Sequence, residues 1–342
     1  VLDLYHSRIK PERNFVNYSV FVSFFPLLVA GPIERATHLL PQIIKPRQFD
    51  YSKAVDGLRQ ILWGLFKKMV IADNCAEFAN AIFNNSTAYS GSTLVLGVLF
   101  FAFQIYCDFS GYSDIALGTA RLFGIDLLRN FAFPYFSRDI AEFWRRWHIS
   151  LSSWFKDYIY IPLGGSKGGT WMKIRNTFVI FLLSGFWHGA NWSFIVWGGL
   201  NALFFMPLLL TNKNRHHLEI IAKGKLIPSA GEFSAMLLTF CLTLIAWIFF
   251  RAESVSHALD YLAGIFSSRL FRLPELLSVK MVFVGFLLLG FLLIEWINRE
   301  KAHALHFAPN TPVPVKYACY ATLIMALFWL QGTSQDFIYF QF

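Results

Sequence analysis

The residues with the clearest potential for chemistry lie in the stretch 181–192, where one imidazole, His188, follows an apolar run without charges. Ser184 precedes it by four positions and shares its face of a helix. A helix that enters a membrane near Asn176 would carry His188 roughly 18 Å inward, a little past the middle of a hydrocarbon core about 30 Å thick. An ionisable side chain at that depth is costly and indicates a functional site. A neutral histidine bonded to a neighbouring helix explains the stretch equally well.

A second imidazole belongs to a segment rich in tryptophan and arginine, which the pattern predicts as one helix over residues 139–158. Asp139 can cap the amino terminus of this helix, with Glu142 at the third helical position. Glu142 can also pair with Arg146 one turn later. Aromatic rings mixed with cations are typical of a membrane interface, so we expect the helix to lie there.

His148 lies within this predicted helix, with Trp144 before it and Ser152 after it on the same face. In that position the ring can orient a substrate or pass a proton, and Trp144 and Ser152 become candidate substrate contacts. Considered alone, His148 is explained more simply as a structural or interfacial residue than as a catalytic one.

Two carboxylates follow the apolar run 94–107, in the sequence from Asp108 to Asp114. Carboxylates at membrane depth need internal partners, and helix amino termini or arginines are the partners we expect, with Gly111 allowing the backbone to bend. No soluble cleft surrounds the two residues, so they are not a glycosidase pair. A structural role is favoured, and Asp108 is also a candidate substrate contact.

The composition is that of a membrane protein. Of the 342 residues, 56% are hydrophobic and only 15% are charged, and the mean hydropathy of +0.47 is far above that of a soluble domain. Several uncharged runs approach the length of a membrane span, at 94–107, 192–211, 233–250, 281–294 and 317–330. The sequence therefore predicts an all-α, polytopic membrane protein that forms a single domain over residues 1–342.

Two further segments do not fit a simple span. Residues 16–32 are apolar but short and are interrupted by proline, which predicts a re-entrant or half-buried segment. Residues 54–83 have helical periodicity with Lys67 and Lys68 in the middle. Those lysines predict an interfacial or kinked helix whose ammonium groups snorkel to the surface.

The formal charge of +9 comes from basic residues in short loops beside apolar runs. This distribution follows the positive-inside rule and argues against nucleic-acid binding. The basic segments 159–175 and 213–225 are both expected to be cytoplasmic loops, on either side of a two-span hairpin that carries His188. Segment 159–175 is rich in glycine but lacks the GxxxxGK[ST] pattern of a nucleotide-binding loop. The four scattered cysteines predict neither a zinc site nor a disulfide framework, and we expect no metal.

Five motifs occur in one order along the chain: AGPI at 30–33, CDFSGYSD at 107–114, FWRRWHISLS at 143–152, YIYIPLGG at 158–165 and GFWHG at 185–189. With these motifs the sequence resembles the membrane-bound O-acyltransferases, specifically the bacterial branch that acylates alginate, peptidoglycan and teichoic acid. Members of that family usually carry additional N-terminal spans. Because residue 1 is valine and no signal peptide precedes the first apolar run, we expect this sequence to be the C-terminal two-thirds of a longer protein.

The resemblance implies that His188 is the family's catalytic histidine and that His148 occupies its second polar position. It also implies a tunnel through a bacterial inner membrane and a cytoplasmic thioester donor, either acyl-CoA or an acyl carrier protein, with no tightly bound cofactor. The acyl group would finally reach an extracytoplasmic polysaccharide such as alginate, with a separate SGNH-type O-acetyltransferase as partner and membrane lipid around the protein.

The chemistry of acyl transfer fits these assignments. A hydroxyl that attacks a thioester needs a base to take its proton, which typically contributes about 10² to 10⁴ in rate, and we expect His188 to be that base. His148 would orient a substrate or shuttle a proton. The candidate donors to the developing oxyanion are Ser184, Asn191, the Trp187 indole or a backbone amide, and the sequence does not choose among them.

Three other classes of protein remain open. A transporter also has polar residues at depth and broken helices, but it more often shows inverted repeats or carboxylates along a path. A non-catalytic membrane scaffold would need no imidazole near the midplane. A lipid or other small-acceptor O-acyltransferase is the alternative within the enzymes.

Overall fold

A computed structural model describes residues 2–308 and 310–340 of the chain. The described residues form helices joined by turns and loops, without a β-strand. The α-helices are α1 Leu2–Tyr5, α2 Phe15–Val22, α3 Ala36–Ile44, α4 Tyr51–Leu65, α5 Asp73–Asn84, α6 Gly91–Leu122, α7 Ile140–Arg146, α8 Ile149–Phe155, α9 Gly169–His188, α10 Trp192–Leu210, α11 Ala230–Arg251, α12 Val255–Ile265, α13 Val279–Ile297 and α14 Val313–Trp329. Two π-helical segments, Phe66–Ala72 and Lys156–Tyr160, and five short 3₁₀ turns complete the described part of the chain. The predicted all-α fold is confirmed.

Four of these helices, α6, α10, α11 and α13, are long and apolar enough to cross a membrane. The helix α9 that carries His188 is not among them, because its first turns contain Lys173, Arg175 and Asn176. The segments Phe15–Leu27 and Val313–Trp329 are apolar but shorter than a span. The protein is therefore a multi-pass membrane protein in which several helices accompany the spans without matching their length.

Helix α6 is the centre of the fold and packs closely along α4. The two backbones meet at two reciprocal glycine pairs, where a Cβ built on Gly118 would lie 2.4 Å from the Gly57 carbonyl oxygen and one on Gly111 would lie 2.8 Å from that of Gly64. Glycine at these positions lets the two helix backbones approach this closely. The expected bend at Gly111 is wrong: the helix continues unbroken to Leu122, because the missing side chain is used for packing.

The lysines in the middle of segment 54–83 point into the protein. Lys67 lies in the π-helical segment between α4 and α5, is only 3% exposed, and places its Nζ 2.6 Å from Asp114. Lys68 Nζ lies 2.8 Å from Asp108 and 2.9 Å from Asp73. The prediction that the two lysines snorkel is therefore wrong, and the carboxylates have lysine partners where arginines or helix amino termini were expected.

Helices α9 and α10 form the predicted hairpin, but only α10 is long and apolar enough to be a membrane span, so the prediction of two spans is wrong for α9. A Cβ on Gly185 would lie 2.3 Å from the Phe194 carbonyl oxygen, and one on Gly198 would lie 2.3 Å from the Phe181 carbonyl oxygen. These contacts hold the end of α9, with His188 as its last residue, against the beginning of α10. The predicted loop 159–175 is shorter than expected, because α9 begins at Gly169.

The single helix predicted over residues 139–158 is broken in two. His148 has a left-handed backbone (φ 44°) between α7 and α8, which a continuous helix cannot contain. Two predictions for α7 are confirmed. The Asp139 side chain caps this helix by accepting a hydrogen bond from the Glu142 amide, and a Glu142 carboxylate oxygen lies 2.7 Å from a guanidinium nitrogen of Arg146. The break removes the helical face that was expected to align His148 with Trp144 and Ser152.

Candidate active site

A cavity of about 250 Å³ lies where α6, the α7–α8 break, the end of α9 and the C-terminal segment meet. Its walls are mainly aromatic and its polar groups are few. The lining residues are Ile105, Phe109, Trp144, Trp147, His148, Leu151, Ser184, Trp187, His188, Trp197, Trp247, Phe250, Ile338 and Tyr339. A concave apolar site with a small number of convergent polar groups is the usual form of a small-molecule site.

His188 enters this cavity from the last position of α9. Its ring makes edge-to-face contacts with Phe250 and Trp197, at centroid separations of 4.9 and 5.3 Å, and it also contacts the neighbouring Trp187 at 5.0 Å. The side chain is half-buried. Within residues 2–308 and 310–340, aromatic packing alone positions the ring.

His148 also lines the cavity, and its ring centroid is 6.2 Å from that of Trp187. The side chain is 4% exposed and packs edge-on against Phe109 at 4.7 Å. Its Nε2 is 3.0 Å from the hydroxyl of Tyr339, whereas Nδ1 is buried without a hydrogen-bond partner in the described part of the chain. The left-handed backbone at His148 is a strained conformation for this residue type, and it directs the ring into the cavity that His188 also lines.

Three other predicted site residues, Ser184, Trp187 and Trp144, also line the cavity. Ser184 is buried on α9, one turn before His188. The indole Nε1 of Trp144 is buried and has no hydrogen-bond partner among the described residues. Buried polar groups are normally paired. Trp144 and His148, which both line the cavity, therefore each carry a buried polar atom that no described residue pairs.

The other three predicted site residues lie outside the cavity lining. Asn191 is exposed and caps α10, with its amide donating to the Glu253 carbonyl at 2.7 Å. The Ser152 hydroxyl faces the Trp147 carbonyl at 3.5 Å, one turn into α8. The prediction for Ser152 assumed one continuous helix through His148, which the chain does not form.

Asp108 is buried beside the cavity and contacts the C-terminal segment that forms part of the cavity wall. One carboxylate oxygen accepts a hydrogen bond from the Ile338 amide at 2.6 Å, and the other lies 2.8 Å from Lys68. Lys68 in turn donates to the Gln335 carbonyl at 3.0 Å. These contacts place the segment that carries Tyr339 against the cavity, so Asp108 holds a wall residue and does not itself face the cavity.

Sequence reasoning missed Tyr339 and the aromatic walls formed by Trp197, Trp247 and Phe250. Tyr339 lies 191 positions from His148 in the chain, and nothing local in the C-terminal segment indicates that distant partner. The wall residues lie in apolar spans, where an aromatic residue that faces a cavity has the same sequence pattern as one that faces the core or lipid.

Fold and site together define an integral membrane protein that presents two imidazoles to an enclosed, aromatic-walled cavity. Residues 8–238 match the model of the MBOAT, membrane-bound O-acyltransferase family. The chain belongs to this family.

Several curated proteins are similar to this chain. A "Peptidoglycan O-acetyltransferase" of Helicobacter pylori is 42% identical over 253 residues, covering 73% of this chain and 46% of that protein. A "Probable alginate O-acetylase AlgI" of Azotobacter vinelandii is 37% identical over 315 residues, covering 91% of this chain and 60% of that protein. A "Teichoic acid D-alanyltransferase" of Bacillus subtilis is 30% identical over 200 residues, covering 54% and 49%. This chain therefore spans about half the length of the curated relatives that it matches.

We expect Tyr339→Phe to change the site without changing its shape, because only the hydroxyl that contacts His148 Nε2 at 3.0 Å is lost. A hydrogen bond of this kind contributes about 1 kcal/mol, which corresponds to a loss of roughly fivefold in activity. Expression should be unchanged and the thermal midpoint should fall slightly, because the buried Nε2 of His148 loses its partner. Parallel transfer and thermal-shift measurements check this, with Tyr317→Phe on the exposed part of α14 as the matched control. Equal activity of the two variants would show that the contact does not position His148.

Proposed function

We propose that the protein is a membrane-bound O-acyltransferase that takes an acetyl group from a cytoplasmic thioester donor and delivers it across the membrane for O-acetylation of an extracytoplasmic polysaccharide such as alginate. Family membership supports acyl transfer as the reaction class. The observation that carries the proposal is the aromatic-walled cavity that His188 and His148 both line.

In the proposed reaction His188 is the general base. As the acceptor hydroxyl oxygen attacks the thioester carbonyl carbon, a ring nitrogen of His188 takes the hydroxyl proton and a tetrahedral oxyanion forms. The carbon–sulfur bond then breaks, the new ester remains, and the thiolate recovers the proton from the imidazolium. The base typically contributes about 10² to 10⁴ in rate. The reaction balances without an oxidant, a reductant or a bound cofactor.

The oxyanion needs hydrogen-bond donors. Trp144 and Ser184 are the candidates whose side chains line the cavity. Asn191 is withdrawn from this role because it lies outside the cavity lining and its amide donates to the Glu253 carbonyl. His148 would position the donor or acceptor while Tyr339 fixes its ring. Trp187 contacts both imidazoles and would hold their relative positions.

The size of the cavity favours a short acyl group. Its volume of about 250 Å³ is below the range of roughly 300–1,000 Å³ that is usual for drug-sized ligands. A lipid O-acyltransferase with a long-chain donor would need a longer channel. We therefore favour an acetyl donor, carried by coenzyme A or by an acyl carrier protein.

The setting proposed for this reaction is the inner membrane of a bacterium. Relatives named for alginate and peptidoglycan acetylation support an extracytoplasmic polysaccharide acceptor. A separate SGNH-type O-acetyltransferase would be the partner that places the group on the polymer. Membrane lipid surrounds the spans, and no nucleic acid is involved.

The test is transfer of radiolabelled acyl groups from thioester donors by the purified protein in detergent or nanodiscs. Acetyl-CoA and an acetylated carrier protein are compared with donors of increasing chain length, using an alginate oligosaccharide as acceptor. We expect acetyl transfer that falls steeply as the acyl chain lengthens. Preference for a long-chain donor would favour the lipid acyltransferase, and an absence of transfer from every thioester would contradict the enzymatic function.

A further inference from the structure

Away from the aromatic cavity, three potential metal ligands converge from distant parts of the chain. Asp56 lies on α4, and His303 and His306 lie in the segment between α13 and α14. One ligand atom from each residue lies within 4.8 Å of the other two. His303 Nε2 is 3.0 Å and His306 Nδ1 is 3.4 Å from the same oxygen, Oδ1 of Asp56.

We propose that Asp56, His303 and His306 bind one divalent transition-metal cation, with Zn²⁺ as the ion that suits the donor set best. Zn²⁺ bonds to imidazole nitrogen and carboxylate oxygen are about 2.0–2.2 Å long, so neighbouring ligand atoms in its tetrahedron are roughly 3.3 Å apart. The separations of 3.0 and 3.4 Å are already close to that value. Mg²⁺ and Ca²⁺ are poor candidates, because both prefer oxygen ligands and this cluster has one carboxylate.

The second oxygen of Asp56 has a partner that leaves Oδ1 available to the cation. Arg121 donates to Oδ2 at 2.7 Å and to the Gln60 side-chain oxygen at 2.8 Å, so the carboxylate has a fixed orientation. Hydrogen bonds of this kind to ligating carboxylates orient a metal site and raise its affinity.

The two histidines are held differently. His303 is 3% exposed, and its Nδ1 has no hydrogen-bond partner among the described residues. Its polar contact is therefore made by the other ring nitrogen, Nε2, with Asp56. His306 is half exposed and gives the cluster an opening to solvent through which a cation can enter. Three protein ligands leave one tetrahedral position for water.

A cation in this position would connect the segment after α13 to the first turns of α4. Asp56, His303 and His306 are not among the residues that line the aromatic cavity. The site is therefore structural, and it does not depend on the proposed acyl transfer. Without a cation, the same contacts are explained by two imidazole N–H groups donating to one carboxylate, so the experiment must separate ligation from hydrogen bonding.

The experiment uses the whole chain, purified without a polyhistidine tag, treated with a chelator and then titrated with ZnCl₂ against a chromophoric competitor. Wild type should bind one Zn²⁺ per chain, with a rise in thermal midpoint that MgCl₂ does not produce. His306→Ala removes a half-exposed ligand and should fold normally, and Asp56→Asn keeps the size of the side chain. In both variants the affinity for Zn²⁺ should fall at least tenfold, and the Zn²⁺-dependent rise in midpoint should disappear.

The matched control is His257→Ala on α12, a histidine whose hydrogen-bonding partner is Ser86. This variant should bind Zn²⁺ as wild type does. Co²⁺ bound to wild type should give the visible absorption bands of a low-symmetry site, and His306→Ala should lose them. The proposal is overturned if chelator-treated wild type binds no Zn²⁺, or if His306→Ala and Asp56→Asn bind it as tightly as His257→Ala.

Discussion

Replacing His188 by alanine is expected to lower acyl transfer by about 10² to 10⁴, the contribution of a positioned general base. The ring is held in the cavity by aromatic contacts with Phe250, Trp197 and Trp187. It forms no hydrogen bond or ion pair within the described part of the chain, so its removal leaves no polar group unpaired there. The variant should therefore be inserted and folded like the parent, and the loss should be catalytic. Steady-state transfer from radiolabelled acetyl-CoA measures it.

Two controls make this result specific. His257→Ala is the same substitution at a histidine that lies outside the cavity and bonds to Ser86, and it should retain full activity. His148→Ala should reduce transfer strongly but less than His188→Ala, because it removes a positioning ring together with the partner of Tyr339. Parental transfer by a well-folded His188→Ala protein would contradict the role of base and would favour a non-catalytic membrane scaffold.

Much of this fold could be predicted from sequence because membrane segments follow simple rules. Uncharged runs close to the length of a membrane span correctly predicted the helices α10, α11 and α13. Helical spacing correctly placed Ser184 and His188 on one helix, α9. Local side-chain chemistry was equally reliable, as the Asp139 cap and the Glu142–Arg146 pair show. These features depend on neighbours within a few residues, and their determinants are therefore visible in the sequence.

The incorrect predictions share one physical cause. Contacts with residues distant in sequence override the conformation that the local sequence favours. The left-handed backbone at His148 breaks a helix that every local signal supports. Lys67 and Lys68 turn inward because Asp114 and Asp108 meet them on α6. Tyr339 lies at the cavity beside Ile338, whose amide donates to Asp108, 230 positions away in the chain.

The same long-range effects account for the site residues that sequence reasoning misplaced. Asn191 has the residue type of an oxyanion donor, but its amide donates to the Glu253 carbonyl and the residue lies outside the cavity lining. Ser152 has the correct helical spacing from His148 only if the helix is continuous. Asp108 has the charge of a catalytic residue, but the ammonium group of Lys68 and a backbone amide already occupy its oxygens.

Replacing Lys68 by methionine is expected to destabilise the protein by about 3–5 kcal/mol, the cost of removing one partner from a buried ionic cluster. Its ammonium lies 2.8 Å from Asp108 and 2.9 Å from Asp73 and donates to the Gln335 carbonyl. Methionine keeps the length and the apolar contacts of the stem but leaves two largely buried carboxylates facing each other. Thermal unfolding of the purified protein, followed by intrinsic tryptophan fluorescence, measures the loss.

Lys53→Met is the matched control, because it makes the same substitution on the preceding helix α4. Lys53 lies 3.0 Å from Asp126, but both side chains are about half exposed. Exposed pairs contribute roughly 0–1 kcal/mol, so this variant should unfold close to wild type. Equal midpoints for the two variants would show that the Lys68 cluster adds no stability.

The Lys68 substitution also tests how the C-terminal segment is coupled to the cavity. Without the ammonium, the segment loses its contact at Gln335, and Asp108 loses the charge that balances it while it accepts from Ile338. Tyr339 should then leave His148 more often, and transfer at a temperature where the variant is still folded should fall at least as far as in Tyr339→Phe. If stability falls while transfer per folded molecule is unchanged, the segment is held by its aromatic contacts with Phe109 and Tyr112, and the ionic cluster serves stability alone.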